Sequence, residues 1–346
     1  MFKPIFVITL VLLAASSVFA SEQETAPQAA KEKQIRLAAL YLDWVLSDVQ
    51  SSTKALAKEL EYAHASTPTP NQQQQRLWLS NAQHGRHTVL FHNWAATSRA
   101  PGYQSPAAAF LSYGDDQPDV EKMRTLAMFQ QLVPALRSAY STFDFSWTYI
   151  TTANDMMALY PFLSLEEAVN NYPPTKQVFY TAANFQDKQA GWTKPYLDLA
   201  GDGMMVTVSH PASRKGRAIG VASHDITLAQ LSQQVLSNLA TKPNQIAYIV
   251  DKDGLVIGVS DQAMSNEMKT INETAGAAAL HYRTNTQKAE WKTTQTTPWV
   301  NNVTEKLLSR FAATNTKVAS VTLGNYNAIA ARTATPEWVL VLVDKK

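Results

Sequence analysis

The feature that most limits how this chain can fold is a long helical repeat near its N-terminus. From Lys31 to about His64 the apolar residues recur at the spacing of one helix face. They are Ile35, Leu37, Leu40, Leu42, Val45, Val49, Leu56 and Leu60. Two prolines in Ser66-Thr67-Pro68-Thr69-Pro70 end the pattern, because proline disrupts a helix interior. Residues 31–64 are therefore predicted to form one long helix that packs as a stalk or a coiled coil.

A strand pattern with many ring side chains occupies residues 172–225. Pro173 and Pro174 exclude a helix at its start and favour an extended entry. The runs Met204 to Ser209 and Ala218 to Ser223 are short and rich in β-branched or small residues, which is typical of paired strands. The polar run Arg214 to Arg217 supplies their turn, so we predict a hairpin.

Asp225 falls just beyond the second of these predicted strands. An acid at the start of a helix commonly caps it. However, Thr227 and Gln230 fit a capping box by themselves. The sequence therefore leaves two roles open for Asp225, a helix cap or a carboxylate that faces a ligand.

A second strand, turn and strand pattern begins at Ile246. It runs over residues 246–250 and 255–260 around Asp251-Lys252-Asp253-Gly254, and further strands are predicted at 317–323, 326–332 and 338–343. A chain of 346 residues with 45% apolar side chains is long enough, and apolar enough, to form two domains. We predict an α+β fold with two modules, residues 75–232 and 240–346, each built on an antiparallel sheet.

An aromatic alternation precedes the ring-rich stretch. Phe143, Phe145, Trp147 and Tyr149 recur at every second residue, which predicts a strand from Phe143 to Thr151 with one aromatic face. These rings fit either a core strand or the wall of a pocket, and Trp147 is the member that we include among the candidate site residues.

The first 20 residues are predicted to be a signal peptide. Lys3 precedes an apolar run from Ile5 to Ala15, and Val18-Phe19-Ala20 fits a cleavage site. The sequence has no cysteine, which excludes disulfides, a lipoprotein anchor and thiolate chemistry. Export without disulfides suits a Gram-negative periplasm, so a periplasmic location is expected.

Several function classes find little support in the sequence. The formal charge is only +2 and the basic residues are scattered, which argues against nucleic-acid binding. His84, His87 and His92 lack metal-ligand spacing, and Asp115 to Asp119 lacks the Gly and Glu of a calcium loop, so that Asp116 or Asp119 is predicted to cap the next helix. No catalytic motif is present. We expect neither a metal nor a cofactor, and no enzyme activity.

The stretch from Tyr172 to Asp225 resembles the ligand site of the double Cache family of extracytoplasmic sensor domains. In members that recognise amino acids, a Tyr is followed five residues on by Arg, seven on by Trp and eight on by Tyr, with a later Tyr and a final Asp. Those positions fall here on Tyr172, Gln177, Phe179, Tyr180, Tyr196 and Asp225. The Arg that would clamp a carboxylate is Gln177, and the Trp is Phe179. The resemblance therefore keeps the amine-binding half of the site and alters the acid-binding half.

This resemblance covers most of the chain after residue 20. It implies a long N-terminal helix that serves as a spine, followed by two PAS-like modules. The module at 75–232 would be the ligand-binding, membrane-distal type, and the module at 240–346 the membrane-proximal type. The six residues at the motif positions, together with Trp147, are the predicted ligand contacts.

The predicted function is that of a soluble periplasmic sensor for a small amine-containing or amino-acid-like ligand. Because receptors of this kind continue into a membrane helix and this sequence ends at Lys346, we expect the signal to pass to a membrane-bound sensor kinase, cyclase or chemoreceptor. Pairing of two copies through the long helix is a further expectation. Free amino acids should bind poorly unless Lys176 or another cation replaces the missing Arg, and amines should bind better than plain carboxylates. The alternatives are a structural scaffold without a ligand and a periplasmic enzyme.

Overall fold

The long helix predicted from the sequence is present and organises the molecule. The computed structural model describes residues 25–92, 108–114, 118–143, 145–166, 168, 173–198, 204–252, 254–266 and 298–346. Helix α1 spans Thr25–Ser66 and is followed by two antiparallel sheets. It begins earlier than predicted, since the residues before Lys31 also tolerate helix, and it ends just before Pro68. The α+β fold class is confirmed. The predicted signal peptide lies outside the described residues.

The first sheet contains nine strands within the described part of the chain, and all of its pairings are antiparallel. Its spatial order is β1-β2-β3-β5-β4-β9-β8-β6, with β7 paired to β8. The strands are β1 (Gln83–His84), β2 (Thr88–His92), β3 (Ala109–Tyr113), β4 (Thr148–Thr152), β5 (Met156–Tyr160), β6 (Gly191–Trp192), β7 (Tyr196–Leu197), β8 (Met204–Arg214) and β9 (Arg217–Thr227). Helices α2 (Gln72–Ser80) and α3 (Val120–Tyr140) precede and interrupt it.

The β8–β9 hairpin is longer than the sequence indicated, and this changes the position of Asp225. Lys215 and Gly216 form its two-residue turn with φ of 49° and 77°, the geometry that joins twisted antiparallel strands. The ladder continues to the pair Met205–Thr227. Asp225 therefore lies inside β9, opposite Thr207, and our prediction that it follows the strand was wrong. Polar residues can continue a strand when the pairing partner and the buried face support it.

Two predicted helix caps are present. The Asp119 side chain accepts a hydrogen bond from the Lys122 backbone N–H at 2.8 Å at the start of α3. Thr227 and Gln230 exchange the two hydrogen bonds of a capping box, at 3.0 and 3.1 Å. They begin a short helix at Leu228. Asp225 is not needed as its cap.

The remaining short helices flank the strands that carry the candidate site. They are α4 (Val178–Thr181), which follows a 3₁₀ turn at Pro174–Lys176, and α5 (Leu228–Leu231), which continues as a π-helical turn over Ser232–Leu236.

The second sheet has five strands among the described residues, in the order β11-β10-β14-β13-β12. They are β10 (Gln245–Asp251), β11 (Val256–Val259), β12 (Val318–Leu323), β13 (Tyr326–Arg332) and β14 (Trp338–Lys345), with helix α6 (Pro298–Thr314) packed against β12. These strands agree closely with the predicted ones. The module boundaries at 75–232 and 240–346 stay a prediction, although the two sheets fall within them.

One apolar core is shared by α1 and both sheets. Leu42 of α1, Val206 and Val208 of β8, and Leu340 and Leu342 of β14 are buried in a single cluster. An edge contact reinforces it. Trp192 of β6 meets Trp338 of β14 with ring centroids 5.7 Å apart, and its indole N–H donates to the side chain of Gln50 in α1 at 3.3 Å.

A buried histidine joins α1 to the first sheet. The Thr53 hydroxyl donates to the Val49 carbonyl at 2.8 Å, so it must accept the hydrogen bond that it shares with His224 Nδ1 at 2.8 Å. His224 is fully buried beside the Phe145 ring, and its Nε2 has no hydrogen-bond partner among the described residues. Burial lowers the pKa of His224 to about 3, so the ring is neutral at physiological pH.

Candidate functional site

The candidate site lies on the face of the first sheet that is turned away from α1. Ile150 and Ala222 point into the core beneath α1 and α3. Because strand residues alternate in direction, Tyr149, Ser223 and Asp225 point to the opposite face. Strand β8 adds Thr207 and Ser209, which lie directly opposite Asp225 and Ser223. These side chains form a buried polar patch in the middle of the sheet. Burial of polar groups is costly unless they are hydrogen-bonded to one another.

Hydroxyl groups supply those bonds to the Asp225 carboxylate. Asp225 is 4% exposed, and its Oδ1 accepts from the Tyr149 hydroxyl at 3.0 Å and from the Thr207 hydroxyl at 2.6 Å. The Thr207 hydroxyl donates its only proton to Asp225. The Tyr196 hydroxyl must therefore be the donor in its 2.6 Å hydrogen bond with Thr207. A chain of hydroxyls therefore runs from Tyr196 through Thr207 to the acid.

Both tyrosines of this network keep their protons over the physiological range. Burial, and then the negative charge of Asp225, raise the pKa of Tyr149 well above its ordinary value. The same two causes in the same order raise the pKa of Tyr196. Each phenol therefore remains a hydrogen-bond donor in this network.

The segment that carries Phe179 and Tyr196 is fastened to β8 on both sides of the network. The Ser209 hydroxyl donates to the Phe179 carbonyl at 2.6 Å, and Thr193 and Thr207 exchange two hydrogen bonds at 2.8 and 2.9 Å. Gly191 is required where this segment turns back, because a Cβ there would lie 1.8 Å from the Ala182 carbonyl oxygen. These contacts fix the approach of the aromatic residues to the sheet.

An apolar surface adjoins the polar network. It consists of buried side chains from β2, β3, β4 and β5, among them Leu90, Leu111 and Met157. Trp147, Phe162 and Phe179 pack against this cluster and are half-buried, and we call these three rings the aromatic rim. Phe179 meets Tyr149 edge to face with centroids 5.2 Å apart. The rim thus connects the surface to a buried acid, an arrangement suited to an ammonium group with an apolar substituent.

The structure brings together several of the predicted contacts. Tyr196 and Asp225 are linked through Thr207, Phe179 reaches Asp225 through Tyr149, and Trp147 stands beside Asp225 in the sheet. The predicted strand over Phe143 to Thr151 is shorter, and Phe145 points into the helix-side core instead. Local alternation does not show where a strand begins.

Other predicted residues have different surroundings. Tyr180 packs on Phe185 at 5.4 Å, and burial together with the charge of Asp155 raises its pKa. Gln177 is half-buried at the start of α4, and Lys176 is exposed. Tyr172 lies outside the described residues. The assignment of these residues to a ligand site stays a prediction.

Two members of the polar network were not among the predicted site residues. Tyr149 was visible only as one ring of the aromatic alternation, and Thr207 was assigned to a strand without a role. The signal that would have found Thr207 is its register opposite Asp225, which depends on the two-residue turn of the hairpin.

The described residues contain no group of three or more His, Asp or Glu side chains placed to hold a metal ion. In the same part of the chain, no helix combines the length and the apolar character that a membrane span requires.

The described residues thus form a sheet with a spine helix on one face and a buried acid behind an aromatic rim on the other. Comparison with known families points to a sensor domain. Residues 127–233 match the family described as "Methyl-accepting chemotaxis protein-like, first PDC sensor domain". The match covers about a third of the chain, and the Cache-type resemblance is confirmed. Domains of this kind are extracytoplasmic and in general are not enzymes.

Similar proteins include chemoreceptors from several bacteria. The chain is 30% identical over 125 residues to the methyl-accepting chemotaxis protein McpC of Bacillus subtilis, a match that covers 36% of this chain and 18% of McpC. Among solved structures, the sensory domain of Campylobacter jejuni chemoreceptor Tlp3 with isoleucine bound matches at 12% identity and a TM-score of 0.49, covering 95% of this chain and 98% of that one. The ligand-binding domain of Pseudomonas fluorescens chemoreceptor CtaA with L-isoleucine matches at 13% identity and a TM-score of 0.49, covering 94% of both chains.

Proposed function

We propose that this protein is a periplasmic sensor that binds a small ligand bearing an ammonium group on the outer face of its first sheet. The observation that carries the proposal is the Asp225 carboxylate, which is 4% exposed, accepts hydrogen bonds from the Tyr149 and Thr207 hydroxyls, and lies beside the aromatic rim. A carboxylate attracts an ammonium group, and the faces of neighbouring aromatic rings add to that attraction.

The ligand class follows from the chemical difference between the amine-binding end and the carboxylate-binding end of the site. The amine end combines Asp225 with the rings of Phe179 and Tyr149. Aromatic rings attract a cation by about 0.5 to 2 kcal/mol each. Gln177 occupies the motif position of the carboxylate-binding Arg, and a neutral amide does not replace a guanidinium in holding a carboxylate. Amines should therefore bind more tightly than free amino acids, and plain carboxylates should bind least.

A thermal-shift screen tests the ligand class directly. The purified protein is titrated with isoamylamine, leucine and isovalerate, which share a branched carbon skeleton and differ in charge. A ligand that binds only the folded state raises the melting temperature saturably. We expect saturable stabilisation by isoamylamine, less by leucine and none by isovalerate. Stabilisation by isovalerate in preference to isoamylamine would contradict the proposal, as would the absence of any response.

Signal output is proposed to pass to a membrane-bound partner such as a chemoreceptor, a sensor kinase or a cyclase. The family match supports this role, because the matching family describes sensor domains of chemotaxis receptor-like proteins. The shared core offers a physical route for the signal. Trp192 belongs to the same segment as Tyr196, and its ring contacts Trp338 of the second sheet. A ligand that moves this segment would also move its contact with the second module.

We also propose that two copies pair through α1. Four apolar side chains on its outer face, Leu37, Leu40, Tyr41 and Trp44, are exposed although their spacing places them on one stripe. Leu40 and Trp44 are 61% and 66% exposed. A second copy presents the same stripe, and a two-fold axis would bury both against each other.

Sedimentation velocity tests the pairing. The wild type is expected to sediment as a dimer at micromolar concentrations, and the double variant Leu40→Lys, Trp44→Lys as a monomer, because two buried lysines per copy oppose the contact. Leu77→Lys is the matched control, since Leu77 is 57% exposed on α2 and outside the stripe. A monomeric wild type, or a double variant that remains dimeric, would contradict the proposal.

A further inference from the structure

An unpaired donor lies beside the candidate site. The indole Nε1–H of Trp147 is buried and has no hydrogen-bond partner among the described residues. The rest of the side chain is half-buried in the aromatic rim. Buried donors are nearly always paired, because an unmade hydrogen bond costs the full desolvation of the group. A ligand that accepts this hydrogen bond would remove that cost.

The sheet register places this donor next to Asp225. Thr148 pairs with His224 and Tyr149 with Ser223, and Trp147 and Asp225 follow next in the two strands. The ladder is bulged there, because the Asp225 N–H donates to the Trp147 carbonyl at 2.9 Å while the Ser146 N–H donates to the Asp225 carbonyl at 3.0 Å, so that Ser146 and Trp147 together lie opposite Asp225. Opposite residues on one face have Cβ atoms about 4.5 to 5.5 Å apart. Trp147 and Asp225 can therefore contact two groups of one small molecule.

We infer that the Trp147 indole N–H donates a hydrogen bond to a neutral acceptor on the ligand. This acceptor lies a few bonds from the ammonium group that Asp225 binds. This inference rests on the proposed function. The inference restricts the proposed ligand class from amines in general to amines that carry an amide, ester or ether oxygen near the nitrogen. An indole is a donor without charge. It favours a carbonyl oxygen, whereas a carboxylate buried at the rim would need a cation, and the side chain of Lys176 is exposed.

Calorimetry with a matched pair of probes tests the inference. Leucinamide and isoamylamine share the branched skeleton and the ammonium group, and only leucinamide has a carbonyl oxygen near the nitrogen. We expect the wild type to bind leucinamide about fivefold more tightly, the range of one neutral hydrogen bond. Trp147→Phe keeps a ring in the rim and removes the N–H. It should bind both probes equally, with isoamylamine affinity within about twofold of the wild type.

Two controls separate a lost hydrogen bond from a damaged fold. Trp299→Phe removes a half-buried indole of the second module and should leave the preference for leucinamide intact. In the wild type, the indole ¹⁵N–¹H resonance of Trp147, assigned by its loss in Trp147→Phe, should shift with leucinamide and much less with isoamylamine. This measurement does not depend on the stability of any variant.

The outcomes distinguish the inference from the function on which it rests. Equal binding of both probes by the wild type, or a preference that survives in Trp147→Phe, would overturn the inference and leave the amine sensor standing. If neither amine binds to the wild type, the proposed function fails and the inference fails with it.

Discussion

Replacing Asp225 by asparagine should weaken the binding of isoamylamine by at least about 30-fold, or about 2 kcal/mol. Asparagine is nearly isosteric and its carbonyl oxygen can still accept from Tyr149 and Thr207, so the network of hydroxyls survives while the negative charge is lost. Titration calorimetry of the wild type and the variant measures the effect. An affinity unchanged within about threefold would show that the ammonium group binds elsewhere.

A matched control keeps this result interpretable. Asp187→Asn makes the same chemical change at an exposed aspartate, whose described hydrogen bonds are to Asn184. It should bind isoamylamine as the wild type does.

The second large effect concerns stability in acid. Burial holds the pKa of His224 at about 3, against an ordinary value near 6.5 in the unfolded chain. Between these values the unfolded state binds the proton and the folded state does not, so stability falls as the pH falls through this window. The expected slope is about 1.4 kcal/mol per pH unit. It should bring a loss of about 2 to 3 kcal/mol by pH 4.5 from this histidine alone.

Urea unfolding at pH 7.0, 5.5 and 4.5 of the wild type and His224→Leu measures this contribution. The variant has no group to titrate at this position, so its stability relative to the wild type should improve steadily as the pH falls. The Thr53 hydroxyl keeps its bond to the Val49 carbonyl in the variant, which limits the loss at neutral pH. His84→Leu, at an exposed position, should show no such trend. A free-energy difference between wild type and His224→Leu that does not vary with pH would contradict the prediction.

The sequence predicted well those parts of the fold in which one periodic signal is enough. Helix α1 and strands β10 to β14 follow from regular apolar spacing and strong turn residues. The capping box at Thr227 and the cap at Asp119 were also predicted, because both are local hydrogen-bond patterns.

The candidate site was harder to predict because it depends on register between distant strands. Period-two alternation places Phe145 and Trp147 on one face, but it does not show that the regular strand begins only at Thr148, so their different surroundings could not be predicted. Asp225 was placed beyond its strand because the polar residues around it lack strand propensity. Thr207 has no local signal at all. Its role exists only because β8 and β9 pair with Thr207 opposite Asp225.

The core shared by α1, β8 and β14 limits how such a module can be transplanted. Val208 and Leu340 are buried in the same cluster, and Trp338 supports the edge of the first sheet. A graft of residues 75–232 alone onto a receptor would leave this surface in water and lose its hydrophobic contribution. A functional chimaera must therefore carry the spine helix and the second sheet along with the site. In the evolution of receptors, we expect the spine helix, the first sheet and the second sheet to be exchanged together as one unit.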